Sequence, residues 1–78
     1  MNYSAILVVA RPGRLASVIE ALQGIPGVEA HQRDEASSRV ICSIEAPETD
    51  DEVRLFRTVS ELDGVLDASL LEHRTDVR

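Results

Sequence analysis

The chain has 78 residues, of which 44% are hydrophobic, and carries a net charge of -6 at neutral pH. A domain of this size buries roughly 60% of the surface that its unfolded chain exposes, so one small core is expected. Nucleic-acid binders rely on Lys and Arg for phosphate contacts, and here 14 acidic residues outnumber 8 basic ones, which argues against a nucleic-acid partner.

The cellular compartment is indicated by what the chain lacks. Cys42 is the single cysteine and has no partner for an intramolecular disulfide. The first residues have neither the basic nor the apolar segment of a signal peptide, and no run of residues reaches transmembrane length. We therefore expect a cytoplasmic protein that does not insert into a membrane and that prefers a basic partner.

The first half of the chain has the pattern of a strand, a helix and a second strand. Residues 4–10 form a continuous apolar run typical of a strand in the middle of a sheet, and Pro12 and Gly13 end it. A helix follows and ends before Gly24. Its apolar residues recur at helical spacing: Leu15, Val18, Ile19 and Leu22. Residues 27–33 alternate between apolar and polar at first and then become wholly polar, as expected of an exposed or edge strand.

The second half repeats this order after a polar hairpin loop at residues 34–38. Residues 40–44 predict a second buried strand. Thr49 and Glu52 match a capping box, in which each side chain bonds the backbone of the other residue, so a second helix is predicted to start here. The apolar face of that helix consists of Leu55, Phe56, Val59 and Leu62. Residues 65–73 predict the fourth strand.

The two halves also match residue by residue at a spacing of 37. Adding 37 to Val18, Ile19, Leu22, Ile25, Gly27 and Val28 gives Leu55, Phe56, Val59, Leu62, Gly64 and Val65. Two joined βαβ units predict an α+β, ferredoxin-like βαββαβ plait with a four-stranded antiparallel sheet and both helices on one face. We expect one domain over residues 1–78, with a structured core at 5–74 and a frayed tail at 75–78.

The face of the sheet away from the helices is expected to be open. The more apolar parity of strands three and four should meet the helices: Val40, Cys42, Ile44, Leu66, Ala68 and Leu70. Both parities of strand one are apolar, so either Ile6 and Val8 or Leu7 and Val9 face out. The open face is then an apolar patch in an acidic frame that includes Glu29, and it suits an apolar and basic ligand. The expected peptide-binding residues are Leu7, Val9, Arg39, Ile41, Ser43, Glu45, Asp67, Ser69, Leu71 and His73.

No group of residues has the spacing of a catalytic or metal site. His31 and His73 have no cysteine or carboxylate at metal-ligand spacing and are interpreted as ordinary polar residues. Cys42 lies inside an apolar strand, where a buried structural thiol is expected. The acids at 50–52 are explained by helix capping and the helix dipole. We therefore expect a binding module without catalytic residues, metal or cofactor.

Four stretches of the chain resemble the NapD family: residues 6–9 followed by a proline, 25–29, 44–45 and above all 62–73. Members of that family are cytoplasmic chaperones for the periplasmic nitrate reductase. The resemblance implies a chaperone that binds the twin-arginine signal peptide of the molybdenum-containing catalytic subunit and prevents premature export during cofactor insertion. It covers residues 5–74, with two departures. Ser37 and Ser38 stand where a glycine is expected in the turn, and Glu72 stands where an aromatic residue is expected.

An alternative function comes from a different class of protein that uses the same plait. ACT and Lrp-type ligand domains bind small molecules such as amino acids, and they also have a Gly-Val entry into their last strand. Such domains are usually attached to an enzyme or a DNA-binding domain, and here we expect the plait alone. A metal-transfer plait would require paired cysteines where residues 11–14 stand.

Overall fold

The computed structural model describes residues 2–75, which form four strands and two helices in the order βαββαβ. The strands are β1 (Asn2–Ala10), β2 (Val28–Asp34), β3 (Arg39–Ala46) and β4 (Val65–Thr75). The helices are α1 (Leu15–Gln23) and α2 (Thr49–Ser60). All six predicted elements are present in this order.

The strands form one antiparallel sheet in the order β2-β3-β1-β4. The two apolar strands, β1 and β3, therefore lie side by side in the middle, while β2 and β4 form the edges. This arrangement confirms the ferredoxin-like α+β fold predicted from the repeat.

Both helices pack on the same face of the sheet, and the core lies between the two layers. Alternate residues of β1 and β3 are buried there: Ile6, Val8, Ala10, Val40, Cys42 and Ile44. The helices contribute Leu15, Val18, Ile19, Leu22 and Val59, with Leu55 and Phe56 partly buried against them. The core is thus built almost entirely from aliphatic side chains, as the composition requires.

The repeat at a spacing of 37 reappears in the backbone where each helix passes into the next strand. Gly27 and Gly64 have φ angles of +87° and +92°. The carbonyl of Gly27 accepts a hydrogen bond from the N–H of Glu45, and that of Gly64 accepts one from Arg11, both at 2.8 Å. A Cβ placed on Gly27 would lie 2.8 Å from the carbonyl oxygen of Glu45. Only glycine combines this conformation with this close approach.

The capping box predicted at the start of α2 is wrong. Glu48 occupies the N-cap position and makes no side-chain capping bond. Glu52 is instead turned toward the sheet, where it accepts a hydrogen bond from the hydroxyl of Ser4. The hydroxyl of Thr49 accepts a hydrogen bond from the side-chain amide of Asn2 at 3.3 Å. Polar partners on β1 therefore compete with the helix backbone for both side chains.

The chain ends and turns differ slightly from expectation. β1 begins at Asn2, two residues before the predicted start, and β4 continues to Thr75. The predicted tail beyond Thr75, residues 76–78, lies outside the described residues. In the turn between β2 and β3, Ser38 has a φ of +59°, so this position has the conformation that a glycine would adopt most easily.

Replacing Gly27 with alanine should destabilise the fold more than replacing Gly13. Both residues have positive φ, but a Cβ on Gly13 would meet no atom within 4 Å. We expect Gly13→Ala to lower the free energy of unfolding by about 1 kcal/mol, from backbone strain alone, and Gly27→Ala by about 2–4 kcal/mol, because steric overlap is added. Urea denaturation followed by circular dichroism measures both. Equal losses in the two variants would show that the overlap between the alanine Cβ at position 27 and the Glu45 carbonyl oxygen does not destabilise the protein.

Candidate functional site

The candidate site is the side of the sheet opposite the helices, which we call the outer face. In β1 the buried residues alternate with half-buried or exposed ones. Ile6 and Val8 lie in the core, so Leu7 and Val9 are the pair that points to the outer face. The same alternation in β3 places Arg39, Ile41, Ser43 and Glu45 on this face.

The strand register arranges these side chains in rows across the three strands β3, β1 and β4. The rows, each in that strand order, are Arg39, Val9 and Asp67; Ile41, Leu7 and Ser69; Ser43, Ala5 and Glu72; and Glu45, Tyr3 and Arg74. Eight of the ten residues predicted for the site, all except Leu71 and His73, therefore lie together on the outer face.

The outer face has an apolar centre and a charged border. Leu7, Val9 and Ile41 form the apolar centre. Each of them is only half-buried, because no helix covers this face. The charged border consists of Glu29, Glu45, Asp67, Glu72, Arg39 and Arg74, all of them exposed. Four carboxylates and two guanidinium groups leave the border acidic, in agreement with the net charge of the chain.

Side chains in the border are partly tied to one another. The hydroxyl of Ser69 donates to the Asp67 carboxylate at 3.0 Å. The Arg74 guanidinium donates to Glu72, also at 3.0 Å. These contacts are exposed, so water screens them and an incoming guanidinium group can replace them at little cost.

A shallow depression opens on the outer face beside the apolar centre. Leu7 and Ile41 form its floor, and the side chains of Gln32, Asp34 and Arg39 stand around it. It lies where β2 leaves the regular ladder, because the pairing of β2 with β3 shifts between Ala30 and Arg33. A second shallow depression on the same face is lined by residues that include Tyr3, Ala5 and Ser43.

The prediction that His73 faces out is wrong. β4 contains a bulge: Ile6 pairs with Leu70 and Ala5 with Glu72, so Leu71 is an extra residue between them. The extra residue reverses the parity of the strand that follows, and His73 pairs with Ser4 on the helix side. Leu71, predicted to point out, is exposed and sits in the bulge itself.

The inward positions predicted for β4 are also partly wrong. Ala68 packs against the core as expected. Leu66 falls in a second irregularity, between the pairs of Val9 and Ala10, and is exposed. Leu70 pairs with the buried Ile6 and points to the helix side as predicted, but it remains largely exposed at the sheet edge. The edge position leaves these two leucines without a covering layer.

A polar cluster that the sequence did not predict lies on the helix side. Ser4 and Glu52 are buried, at 5% and 7% exposed, whereas the side chain of His73 is 39% exposed. The Glu52 carboxylate accepts a hydrogen bond from Ser4 and lies 3.0 Å from Nδ1 of His73, while the Ser4 hydroxyl is 3.2 Å from the same ring nitrogen. Serine and glutamate thus share one nitrogen, unlike a catalytic triad, in which they engage opposite ring nitrogens. The cluster fastens α2 to β1 and β4.

Cys42 is fully buried in β3. Burial raises the pKa of its thiol from 9.0 to about 11, because a thiolate is poorly solvated there. Its position therefore favours the structural role predicted for it over a nucleophilic one.

Within residues 2–75 no three His, Cys, Asp or Glu side chains are grouped so that they could hold a metal ion. In the same part of the chain, neither helix has the length and hydropathy needed to cross a bilayer.

Replacing Glu52 with glutamine should destabilise the protein, because the amide cannot serve Ser4 and His73 as the carboxylate does. Hydrogen bonds to a charged group contribute about 1.5–3 kcal/mol, so we expect a loss of about 2 kcal/mol in the free energy of unfolding. Glu20→Gln on the exposed side of α1 is the matched control and should change stability by less than about 0.5 kcal/mol. Similar values for both variants in chemical denaturation would contradict this role of Glu52.

The buried thiol predicts a loss of stability at alkaline pH. Above pH 9.0 the unfolded chain releases the Cys42 proton, whereas the folded protein holds it up to about pH 11. The unfolded state then binds fewer protons, so stability falls by about 1.4 kcal/mol per pH unit in this window. Cys42→Ala lacks this decline. Urea denaturation of both proteins at several pH values tests it, and parallel pH profiles would refute it.

Comparison with known proteins supports one family over almost the whole chain. The family model described as NapD protein matches residues 1–77. The Chaperone NapD of Escherichia coli strain K12 is 26% identical over 72 residues, covering 92% of this chain and 83% of the relative. The Chaperone NapD of Shigella flexneri matches with the same values.

A solved structure agrees with this relationship. The solution structure of the E. coli Tat proofreading chaperone protein NapD superposes with a TM-score of 0.86 at 26% sequence identity. The match covers 95% of this chain and 78% of that one. The similarity therefore extends to both βαβ halves and to the sheet that carries the outer face.

Proposed function

The chain belongs to the NapD protein family, a family of chaperones, and we propose that its outer face binds the twin-arginine signal peptide of the catalytic subunit of a periplasmic nitrate reductase. The E. coli relative is described as a Tat proofreading chaperone, which supports a signal peptide as the ligand. In this proposal the protein acts in the cytoplasm and holds the subunit back from export until its molybdenum cofactor has been inserted.

The observation that carries the proposal is the apolar centre of the outer face, with carboxylates beside it on both β3 and β4. A twin-arginine signal peptide has a basic segment with paired arginines, followed by an apolar stretch. Leu7, Val9 and Ile41 offer apolar surface to that stretch, while Glu45 and Asp67 stand at opposite corners of the face. Carboxylates accept the forked donors of arginine, so the border complements the basic segment.

The expected affinity follows from the area that the peptide covers. Burying about 400 Å² of apolar surface contributes roughly 10 kcal/mol before costs. Ordering a flexible peptide and losing its free motion remove about half or more of this. Exposed ion pairs add only about 0–1 kcal/mol each, so the arginines mainly orient the peptide and speed its approach. A reversible complex in the micromolar to nanomolar range results, as a chaperone that must release its client requires.

A synthetic twin-arginine signal peptide should bind the protein with a Kd in the micromolar range or below, measured by calorimetry. Ile41→Ser removes apolar contact at the centre of the outer face and should raise the Kd about tenfold, which corresponds to about 1.4 kcal/mol. Val53→Ser is the matched control, because Val53 is an exposed apolar residue of α2 on the helix side, and it should leave the Kd unchanged.

Circular dichroism of both variants separates a loss of binding from a loss of folding.

Glu45→Arg should slow association at low salt by several-fold and change dissociation little, because the border acts mainly through long-range attraction. No saturable binding by the folded wild type would overturn the proposal. A larger effect of Val53→Ser than of Ile41→Ser would move the binding site to the helix side.

A further inference from the structure

The open edge of β4 concentrates the exposed apolar side chains of the molecule. Residues 2–75 contain five large hydrophobic residues that are exposed. Three of them lie on β4 and are each 53–56% exposed: Leu66, Leu70 and Leu71. A fourth, Val53, lines a cleft with Leu70 between α2 and β4. The peptide proposed for the outer face does not account for these exposed leucines, because they lie along the edge of the sheet.

The two edges of the sheet are protected to different degrees. β2 has seven residues, most of them polar or charged, and none of them is an exposed large hydrophobic residue. β4 has 11 residues and carries three exposed leucines, although two irregularities interrupt its pairing with β1. A long edge strand with exposed leucines is a template for pairing with another strand.

We propose that the edge of β4 is where two copies of this chain associate, with the two β4 strands antiparallel and the two-fold axis at the Leu70–Leu71 bulge. The two sheets then join into one eight-stranded sheet. The proposal does not rest on the signal-peptide function, since it uses the edge of the sheet and not the apolar centre of its outer face.

The bulge makes this register possible. Residues directly opposite in a strand pair must point to the same face of the sheet. Before the bulge, Asp67 and Ser69 point to the outer face, and after it Glu72 and Arg74 do, because the extra residue Leu71 reverses the parity. An axis through the bulge unit places Ser69 opposite Glu72 and Asp67 opposite Arg74, so that the faces agree along both arms. Moving the axis by half a residue, so that Leu71 lies opposite its own copy, places Ser69 opposite His73 and mismatches the faces.

The same register is complementary in charge and in hydrophobicity. Asp67 of each copy meets Arg74 of the other, which gives two ion pairs on the joined outer faces. Ser69 can donate to Glu72 across the axis, and the apolar Leu70 and Leu71 of the two copies meet at the centre. Unfavourable repulsion between two copies with a net charge of -6 each limits the strength of the dimer. We therefore expect association at micromolar or higher concentration.

Sedimentation equilibrium over a wide concentration range tests the dimer and its register. The wild type should shift from the 8.5 kDa of one chain to twice that mass. Asp67→Arg and Arg74→Asp should each weaken dimerisation at least threefold, and the double variant should restore it, because the pair is then reversed but still complementary. Glu20→Arg on α1 makes the same charge change as Asp67→Arg, but away from the edge, and should not weaken dimerisation.

Cross-linking tests the register independently. With Ser69→Cys and Glu72→Cys in the same chain, oxidation should give a covalent dimer, because these positions face each other across the axis. Ser69→Cys alone should give little cross-linked product. A wild type that stays monomeric at all concentrations overturns the proposal, as does a dimer that Asp67→Arg leaves intact. Faster cross-linking of Ser69→Cys alone would overturn the register.

Discussion

The packing of one row of β1 under the two helices is the constraint on which the rest of the structure depends. β1 lies between β3 and β4, and its inner row, with Ile6 and Val8 at its centre, is fully buried. Once that row is committed to the core, the strand's period of two sends Leu7 and Val9 to the opposite face. Because both helices in the described part of the chain pack on the side of the inner row, these apolar residues remain uncovered.

The fold could be predicted well from the sequence because its signals are local. The match of Gly27 with Gly64 at a spacing of 37 marks two positions where the backbone needs a positive φ, and the structure confirms both. The parity of β3 was equally clear, since Val40, Cys42 and Ile44 alternate with more polar residues. The sequence does not decide which row of β1 faces outward, because both rows are apolar and only the helix contacts distinguish them.

The errors share a physical cause, which is that bulges and buried polar contacts depend on residues far apart in the chain. Nothing in the amino-acid sequence of β4 shows that Leu71 is an extra residue in the pairing with β1. That insertion nevertheless turns His73 from the outer face to the helix side. Ser4, a polar residue in the otherwise apolar predicted strand, was the one available signal. A buried hydroxyl needs a partner, and Glu52 supplies it instead of capping α2.

The bulge in β4 also explains how one thin sheet can present two different surfaces. In a regular strand the alternation would continue unbroken and would turn Glu72 and Arg74 toward the helices and His73 to the outer face. The extra residue instead keeps Glu72 and Arg74 in the charged border while it turns His73 toward Glu52. Asp67 and Arg74 therefore belong both to the border of the outer face and to the edge of β4. A cationic ligand at the border and a second copy at the edge would compete for the carboxylate of Asp67, so occupation of one surface weakens the electrostatic contribution to the other.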